Sequence, residues 1–192
     1  MTGLPHGSPV LLKDNNMEKL KLYTVDNDYI EYLKHFDKQV MFSKGDDYLT
    51  DRKYLGVVLE INGFKYFAPL SSPKDSDYFY KNGKRHIRRN IIPLIRLVDV
   101  KGNLLGKVKL SNMIPVPENC LTLYDIEHEQ DKKYQDLVKD EIICIRKCKE
   151  QILKNAKILY NQKTKNYAGI NYLKSTVDFT KIENCCKKYI KY

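Results

Sequence analysis

The sequence predicts an α+β fold: a compact, strongly bent antiparallel sheet or partly open barrel, flanked by helices, with a long helical region towards the C-terminus. Two patterns predict it. Short apolar runs of strand length, separated by turn sequences that contain glycine, fill residues 54–117. Apolar residues then recur at spacings of three and four through residues 134–159. Strands and helices do not alternate regularly, so we expect no parallel sheet.

A change of period predicts the first two elements. Residues 20–25, LKLYTV, alternate as a half-buried strand does. In residues 28–40, Ile30, Leu33 and Phe36 instead recur every third position, which predicts one amphipathic helix. The Asp-Asn-Asp that begins two residues earlier contains residue types that cap helices.

The clearest local pattern is a β-hairpin. Residues 54–61 and 64–70 are apolar runs joined by Asn62-Gly63. Asn-Gly tolerates the positive φ angles of a type I′ turn, whose twist matches that of the flanking strands. The outgoing strand leads into the stretch Ser-Ser-Pro-Lys.

A second hairpin is predicted after a further Asn-Gly turn. Residues 91–100 and 104–110 are apolar runs that flank a Lys-Gly-Asn turn. Pro93 has no amide proton for a sheet ladder, so we place it at a strand start or edge. Residues 113–117, MIPVP, indicate an extended exit from the sheet.

The rest of the chain reads as helical. No glycine or proline lies between Glu118 and Ala168, which predicts one long helix or two abutting ones. A last short helix is predicted to begin after Asp178. Residues 1–16 read as a leader or an added arm, and residues 17–192 as a single domain, since 192 residues correspond to about one domain.

Composition favours a nucleic-acid-binding protein of the cell interior. The chain has 34 Lys and Arg against 24 Asp and Glu, and a net charge of +10 favours a polyanionic partner, either nucleic acid or an anionic membrane. We expect no membrane partner, because no helix with a uniformly basic polar face is evident and no apolar run approaches roughly 18 residues. Five cysteines without Cys-x-x-Cys spacing favour a reduced, cytoplasmic location.

Metal and cofactor chemistry find little support. The four histidines are scattered, and none has the spacing of a metal-binding pair. The nine glycines are isolated, without a phosphate-binding loop. We therefore expect no metal and no cofactor.

Residues 78–89, YFYKNGKRHIRR, interleave aromatic and basic side chains. This composition suits single-stranded nucleic acid, because cations follow the phosphates while aromatic faces accept bases. A solvated basic hairpin is the alternative. The candidate RNA-binding residues are Tyr78, Tyr80, Lys81, Lys84, Arg85, Arg88 and Arg89.

The stretch Ser71-Ser72-Pro73-Lys74 has two interpretations. Ser-Ser-Pro is a common turn sequence. Metal-free RNA cleavage, however, needs a base or positioned hydroxyl near the 2′-OH, cations for the phosphorane charge and an acid for the 5′ oxygen. Two serines and a lysine beside a cationic segment supply hydroxyls and a cation.

Three segments, taken in order, resemble the ToxN/AbiQ family of endoribonuclease toxins from type III toxin-antitoxin and phage abortive-infection systems. They are LYTVDNDYIEYLKHFDKQV, YLGVVLEINGFKYFAPLSSPK and GKVKLSNMIPVP. The resemblance runs over nearly the whole chain after residue 17. Its most specific part is the hairpin that ends in a hydroxyl-Ser-Pro-Lys motif.

The resemblance implies a bent antiparallel sheet similar in core to the Kid/MazF toxins. It implies metal-independent cleavage of cellular or phage RNA that leaves 2′,3′-cyclic phosphate ends. It also implies an RNA antitoxin: a repeat-derived pseudoknot that the toxin processes, that then occupies the active-site groove, and that assembles with the toxin into closed rings. Without RNA we expect a monomer or dimer.

The family motif falls on Ser71, Ser72 and Lys74, where the first position keeps a hydroxyl although relatives often have threonine. Ser72 is expected to position the 2′-OH or relay its proton, and Lys74 to stabilise charge and act as an acid.

The family also has a tyrosine followed four residues later by a lysine. Tyr48 fits the tyrosine and is expected to stack on a base or join proton transfer, but Arg52 stands at the basic position with Lys53 next to it. The two cations differ, since arginine clamps phosphate and lysine is the better proton donor. The sequence leaves open which of them faces the phosphate.

Two other functions stay open. A non-catalytic RNA-binding scaffold of the same fold is favoured by the departure at Arg52. A cysteine-dependent enzyme using Cys120 or Cys144 has only the cysteine count behind it.

Overall fold

The structure, a computed structural model, describes residues 20–42 and 51–190. The predicted leader, residues 1–16, lies outside this range, as does Tyr48. The strands are β1 (Lys21–Val25), β2 (Tyr54–Ile61), β3 (Phe64–Ser71), β4 (Tyr78–Lys81), β5 (Lys84–Ile87), β6 (Leu94–Val98), β7 (Leu104–Lys109), β8 (Ile114–Pro115) and β9 (Leu121–Leu123). The helices are α1 (Asn27–Phe36), α2 (Lys132–Lys147), α3 (Lys149–Thr164) and α4 (Phe179–Lys188).

The sheet is antiparallel and open. Its strand order is β6-β7-β3-β2-β1-β9, with β8 paired to β3, while β4 and β5 form a separate hairpin. Among the described residues no pairing joins β6 to β9, so the sheet does not close into a barrel. The predicted antiparallel sheet with helices after it is confirmed.

The two hairpins predicted in the sheet are present. Asn62 and Gly63 have φ angles of 52° and 78°, as the predicted turn between β2 and β3 requires. A register shift between Gly56 and Leu59 makes a bulge in β2, and a bulge bends and twists its strand. Pro93 immediately precedes β6, the edge strand, as predicted.

Helix α1 is shorter than predicted. The Asp26 carboxylate accepts a hydrogen bond from the Asp28 amide (2.9 Å) and caps its start. The helix ends at Phe36 because Asp37 adopts an extended conformation. Ile30 and Leu33 are buried as predicted, but Phe36, in the last turn, is 42% exposed.

The C-terminal region contains two abutting helices, one of the two predicted arrangements, with the break at Cys148. Helix α4 begins after Asp178, whose carboxylate accepts from the Lys181 amide (3.0 Å), as predicted. The short strand β9 was not predicted from the sequence.

One apolar core joins the sheet to the helices. Its largest fully buried side chains include Tyr29, Tyr66, Phe67 and Phe179. The Tyr66 hydroxyl donates to Glu183 of α4 (2.6 Å), which ties the helix to β3. Within the described parts of the chain, no helix has the length and apolar character to cross a membrane.

Candidate active site

The strand register aligns three residues in a row across β3, β7 and β6. Ser71, the last residue of β3, stands opposite Lys107 of β7, and Lys107 stands opposite Arg96 of β6. Directly opposite residues lie on the same face of a sheet. The row therefore brings two cations to the face that carries the Ser71 side chain.

Arg52 extends this row on the other side of Ser71. The Leu70 amide donates to the Lys53 carbonyl (2.8 Å), which continues the pairing of β2 and β3 beyond Tyr54 and sets Arg52 beside Ser71. Its Nη1 donates to the Leu70 carbonyl (2.9 Å) and its Nε to the Phe42 carbonyl (3.0 Å). The guanidinium is therefore held at the end of β3.

Lys53 has different surroundings. Its Nζ donates to the Asp51 carbonyl (3.0 Å) and lies 4.4 Å from the ring centre of Tyr124. Neighbouring residues on a strand point to opposite faces. Of the two candidate cations, Arg52 is thus the one that lies with Ser71.

A buried carboxylate, Asp77, forms ion pairs with the other two cations of the row. One oxygen accepts from Lys107 Nζ (2.6 Å), and the other accepts from Arg96 Nε (3.1 Å) and pairs with Nη2 (3.0 Å). Burial by itself raises the pKa of Asp77, but the bonds from Lys107 and the Lys74 amide and the two positive charges outweigh it, so the pKa is lowered. The carboxylate is charged at neutral pH.

Asp77 also fixes the loop that carries the predicted motif. Its Oδ2 accepts from the Lys74 amide (2.9 Å). Ser72 and Lys74 are both exposed, immediately after β3. The cluster Arg96-Asp77-Lys107, named here the Asp77 cluster, thereby anchors the exposed loop to β6 and β7.

Two buried hydroxyls near the row have no hydrogen-bond partner among the described residues: Ser71 Oγ and Tyr54 Oη. Tyr54 lies two residues from Arg52. Burial raises its pKa, and the charge of Arg52 offsets part of that rise. Unpaired buried hydroxyls are uncommon and occur at functional sites.

Glu141 of α2 lies behind the row. A Cβ atom at Gly106 would collide with its Oε1 and would lie 3.4 Å from the Ser71 carbonyl, so only glycine permits this approach. Glu141 is 7% exposed, and burial raises its pKa to about 7.

The predicted RNA-binding residues lie on the β4–β5 hairpin and the segment after it. Arg85 stacks over the Tyr78 ring at 3.5 Å, and Tyr80 is 73% exposed. Arg88 joins the hairpin to the loop, since its amide donates to the Asp77 carbonyl (2.8 Å). The remaining members are also exposed: Lys81, Lys84 and Arg89. The hairpin and the Ser-Ser-Pro-Lys loop are therefore physically connected.

The two cysteines considered as alternative catalytic residues lie in the core. Cys120 and Cys144 are buried, and burial raises the pKa of Cys144, which disfavours a reactive thiolate there. The described residues contain no group of three His, Cys, Asp or Glu side chains placed to hold a metal ion.

Comparison of the sequence with known protein families identifies the family of this chain. The family described as "Toxin ToxN, type III toxin-antitoxin system" matches residues 21–187, which include the row and the loop. The chain belongs to the ToxN family.

Relatives of this ToxN-family chain are similar along most of their length. The endoribonuclease ToxN of Pectobacterium atrosepticum is 32% identical over 144 residues, which cover 74% of this chain and 80% of that protein. The endoribonuclease AbiQ of Lactococcus lactis subsp. lactis is 29% identical over 90% of each chain. A solved structure is described with the words "selective toxin inhibition by a non-coding RNA pseudoknot" and comes from bacterial type III toxin-antitoxin systems. It is similar to this chain with a TM-score of 0.74 and 29% identity, and the match covers 90% of this chain and 98% of the other.

Four residues of this candidate site were not predicted from the sequence: Tyr54, Asp77, Arg96 and Lys107. A signal was available for the two cations. Arg96 and Lys107 each interrupt an apolar strand, and a charge at such a position indicates a buried ion pair. No local pattern marks Asp77 as their partner, because it lies in a polar loop.

Proposed function

We propose that this chain is a metal-independent endoribonuclease toxin of a type III toxin-antitoxin system, acting in the bacterial cytoplasm in defence against phage. The observation that carries the proposal is the cationic row beside Ser71, held next to an exposed Ser-Ser-Pro-Lys loop. Family membership and the relatives named as endoribonucleases support it.

The reaction begins at the 2′-OH of the substrate. This oxygen passes its proton to solvent water, directly or through Ser72, and forms a bond to the adjacent phosphorus, while the bond from phosphorus to the 5′ oxygen breaks and that oxygen takes a proton from Lys74. The products are a 2′,3′-cyclic phosphate and a 5′-hydroxyl. Because the nucleophile belongs to the substrate's own ribose, the protein lowers the barrier by holding this oxygen in line with the leaving 5′ oxygen and by stabilising the developing charge.

The residues of the Ser-Ser-Pro-Lys stretch and its neighbours have separate roles in this reaction. Ser72 positions the 2′-OH or relays its proton, with Ser71 beside it. Lys74 stabilises the phosphorane charge and protonates the leaving 5′ oxygen. Arg52, rather than Lys53, clamps the phosphate, and its position beside Ser71 supports this choice. Tyr48 stacks on a base or joins the proton transfer.

The partner is an RNA antitoxin. We propose that a repeat-derived pseudoknot is processed by the toxin, occupies the same groove and builds a closed ring with it, the protein alone being a monomer or dimer. The related structure described with a non-coding RNA pseudoknot supports this. The +10 charge and the exposed aromatic-basic hairpin suit such a partner.

We further propose that residues 17–192 form one domain, supported by the single core that joins sheet and helices. From the family resemblance we also propose that this core is similar to that of the Kid/MazF toxins.

The test is cleavage of an end-labelled, adenine-rich RNA in excess EDTA, with Ser72→Ala as the control. Ser72 is exposed, so this variant should keep its thermal unfolding curve. We expect cleavage by the unmodified protein only, with cyclic phosphate ends. Tight RNA binding without any cleavage would instead favour the scaffold function.

A further inference from the structure

A second concave region lies behind the hairpin. It is a cavity of about 440 Å³ between the segment that leaves β5, the edge strand β6 and the C-terminal turn of α2. Ligand pockets typically span about 300 to 1,000 Å³, so the space suits one nucleotide. We call it the α2 pocket; the lining residues that matter below are Arg88, Arg89, Arg96, Val98, Lys147 and Cys148.

The charge of the α2 pocket has one sign. Among the described residues that line the pocket, four are Lys or Arg and none is Asp or Glu. Arg96 is committed to Asp77, and Arg88 Nε donates to the Ser76 carbonyl (3.1 Å). Arg89 and Lys147 make no side-chain hydrogen bond or ion pair with other described residues, so both can bind an anion.

The opposite side of the pocket is apolar. Val98 of β6 is 39% exposed there, which is high for a valine in a strand, and Cys148 is half-buried beside it. Cys144 Sγ donates to the Val98 carbonyl (3.3 Å), which fixes α2 against the strand. A flat aromatic ring fits against such a wall, whereas inorganic phosphate would leave it uncovered.

Arg96 links the pocket to the candidate active site. Arg96 contributes to its lining and binds Asp77, and Asp77 binds the Lys74 amide. The pocket and the loop that carries Lys74 are thus joined through one buried ion pair and one hydrogen bond.

We propose that the α2 pocket binds one nucleotide of the RNA substrate away from the scissile linkage, with its phosphate on Arg89 and Lys147 and its base against Val98 and Cys148. The proposal rests on the endoribonuclease function above. It gives Lys147 and Val98, which the sequence did not mark, a role in RNA recognition.

The experiment measures kcat/KM on a series of RNAs shortened one nucleotide at a time from each end. Lys147→Gln is compared with Arg146→Gln, an exposed neighbour in the same helical turn that does not line the pocket. Val98→Glu is compared with Val100→Glu, which adds the same charge at a residue that is 84% exposed and outside the pocket.

We expect each variant to lower kcat/KM about tenfold on long RNA: Lys147→Gln because it loses a charge-assisted phosphate contact, and Val98→Glu because it places a negative charge in the pocket that binds the nucleotide. On RNA too short to reach the pocket, both variants should match the unmodified protein. The two control variants should match it at every length.

Equal losses on long and short RNA, or losses shared by the controls, would overturn the proposal while leaving the endoribonuclease function intact. If the unmodified protein cleaves nothing, the function itself fails. Adenosine 5′-monophosphate is tested as a competitor. Inhibition of the unmodified protein but not of Lys147→Gln, together with no effect of RNA length, would show that the pocket binds a free nucleotide. The assignment of the pocket to RNA would then be wrong.

Discussion

At the scale of single residues, the neighbours Arg52 and Lys53 differ in what they contact. Arg52 bonds to the end of β3, and Lys53 packs on Tyr124. An inserted residue moves the side chains that follow it to the opposite face of a strand, and counting residues in the sequence cannot detect such a shift. The sequence therefore left open which of the two cations faces the candidate site. The pairing of β2 with β3 places Arg52 opposite Ser71, which favours Arg52.

The first prediction tests this difference. Arg52→Gln should lower cleavage about a hundredfold, as loss of a donor to developing charge does. Lys53→Gln should keep the cleavage rate, although both variants lose about 1 to 3 kcal/mol of stability with their hydrogen bonds. Cleavage rates at a temperature well below either unfolding midpoint separate the two effects. A larger rate loss in Lys53→Gln would reverse the assignment.

Glu141 predicts a pH dependence of stability. Its pKa is raised from 4.5 to about 7 by burial. Between these values only the unfolded chain ionises, so the free energy of unfolding should fall as pH rises through this window, by about 3 kcal/mol in all at 1.36 kcal/mol per unit.

Urea unfolding from pH 4 to 8.5 measures this change. Glu141→Gln should remove the fall and be the more stable protein above pH 7, whereas Asp140→Asn, at the exposed neighbouring position, should behave as the unmodified protein does. Identical pH profiles for Glu141→Gln and the unmodified protein would show that Glu141 does not titrate as stated.

At the scale of elements, the Asp77 cluster holds the loop to strands β6 and β7. Asp77→Asn would leave Arg96 and Lys107 buried without a counter-charge, which costs about 3 to 5 kcal/mol. Asp75→Asn is the matched control, since its contact with Arg85 (3.9 Å) lies at the surface and such pairs contribute about 0 to 1 kcal/mol. Chemical unfolding of both variants measures the difference, and similar losses would contradict a buried role for Asp77.

The β4–β5 hairpin should contribute to RNA affinity. Arg85→Gln removes a cation that stacks on Tyr78, so we expect weaker binding and a slope of log affinity against log salt that is shallower by about 0.7, the value for one contact to single-stranded RNA. Lys101→Gln, in the turn between β6 and β7, removes the same charge from an exposed site outside the hairpin. If both variants show the same salt slope, the hairpin acts only through net charge.

At the scale of the whole molecule, local signals predicted the elements better than their assembly. The Asn62-Gly63 turn, the Asp178 cap and the edge position of Pro93 each follow from the chemistry of one or two residues. The row of Ser71, Lys107 and Arg96 does not, since it depends on the pairing of β3 with β7, two strands that lie far apart in the chain, as well as on the predicted hairpin of β6 and β7. The motif was therefore visible in the sequence, whereas the cluster that supports it was not.

The most direct test of the active-site assignment is the single-turnover cleavage rate of Lys74→Gln, measured with its RNA dissociation constant. Lys174→Gln, an exposed lysine in the turn before α4, is the control. We expect Lys74→Gln to lose at least about a hundredfold in rate while its RNA affinity changes little, because Lys74 acts on charge that develops in the transition state. An unchanged cleavage rate, or a loss of affinity that accounts for the whole effect, would contradict the placement of catalysis at the Ser-Ser-Pro-Lys loop.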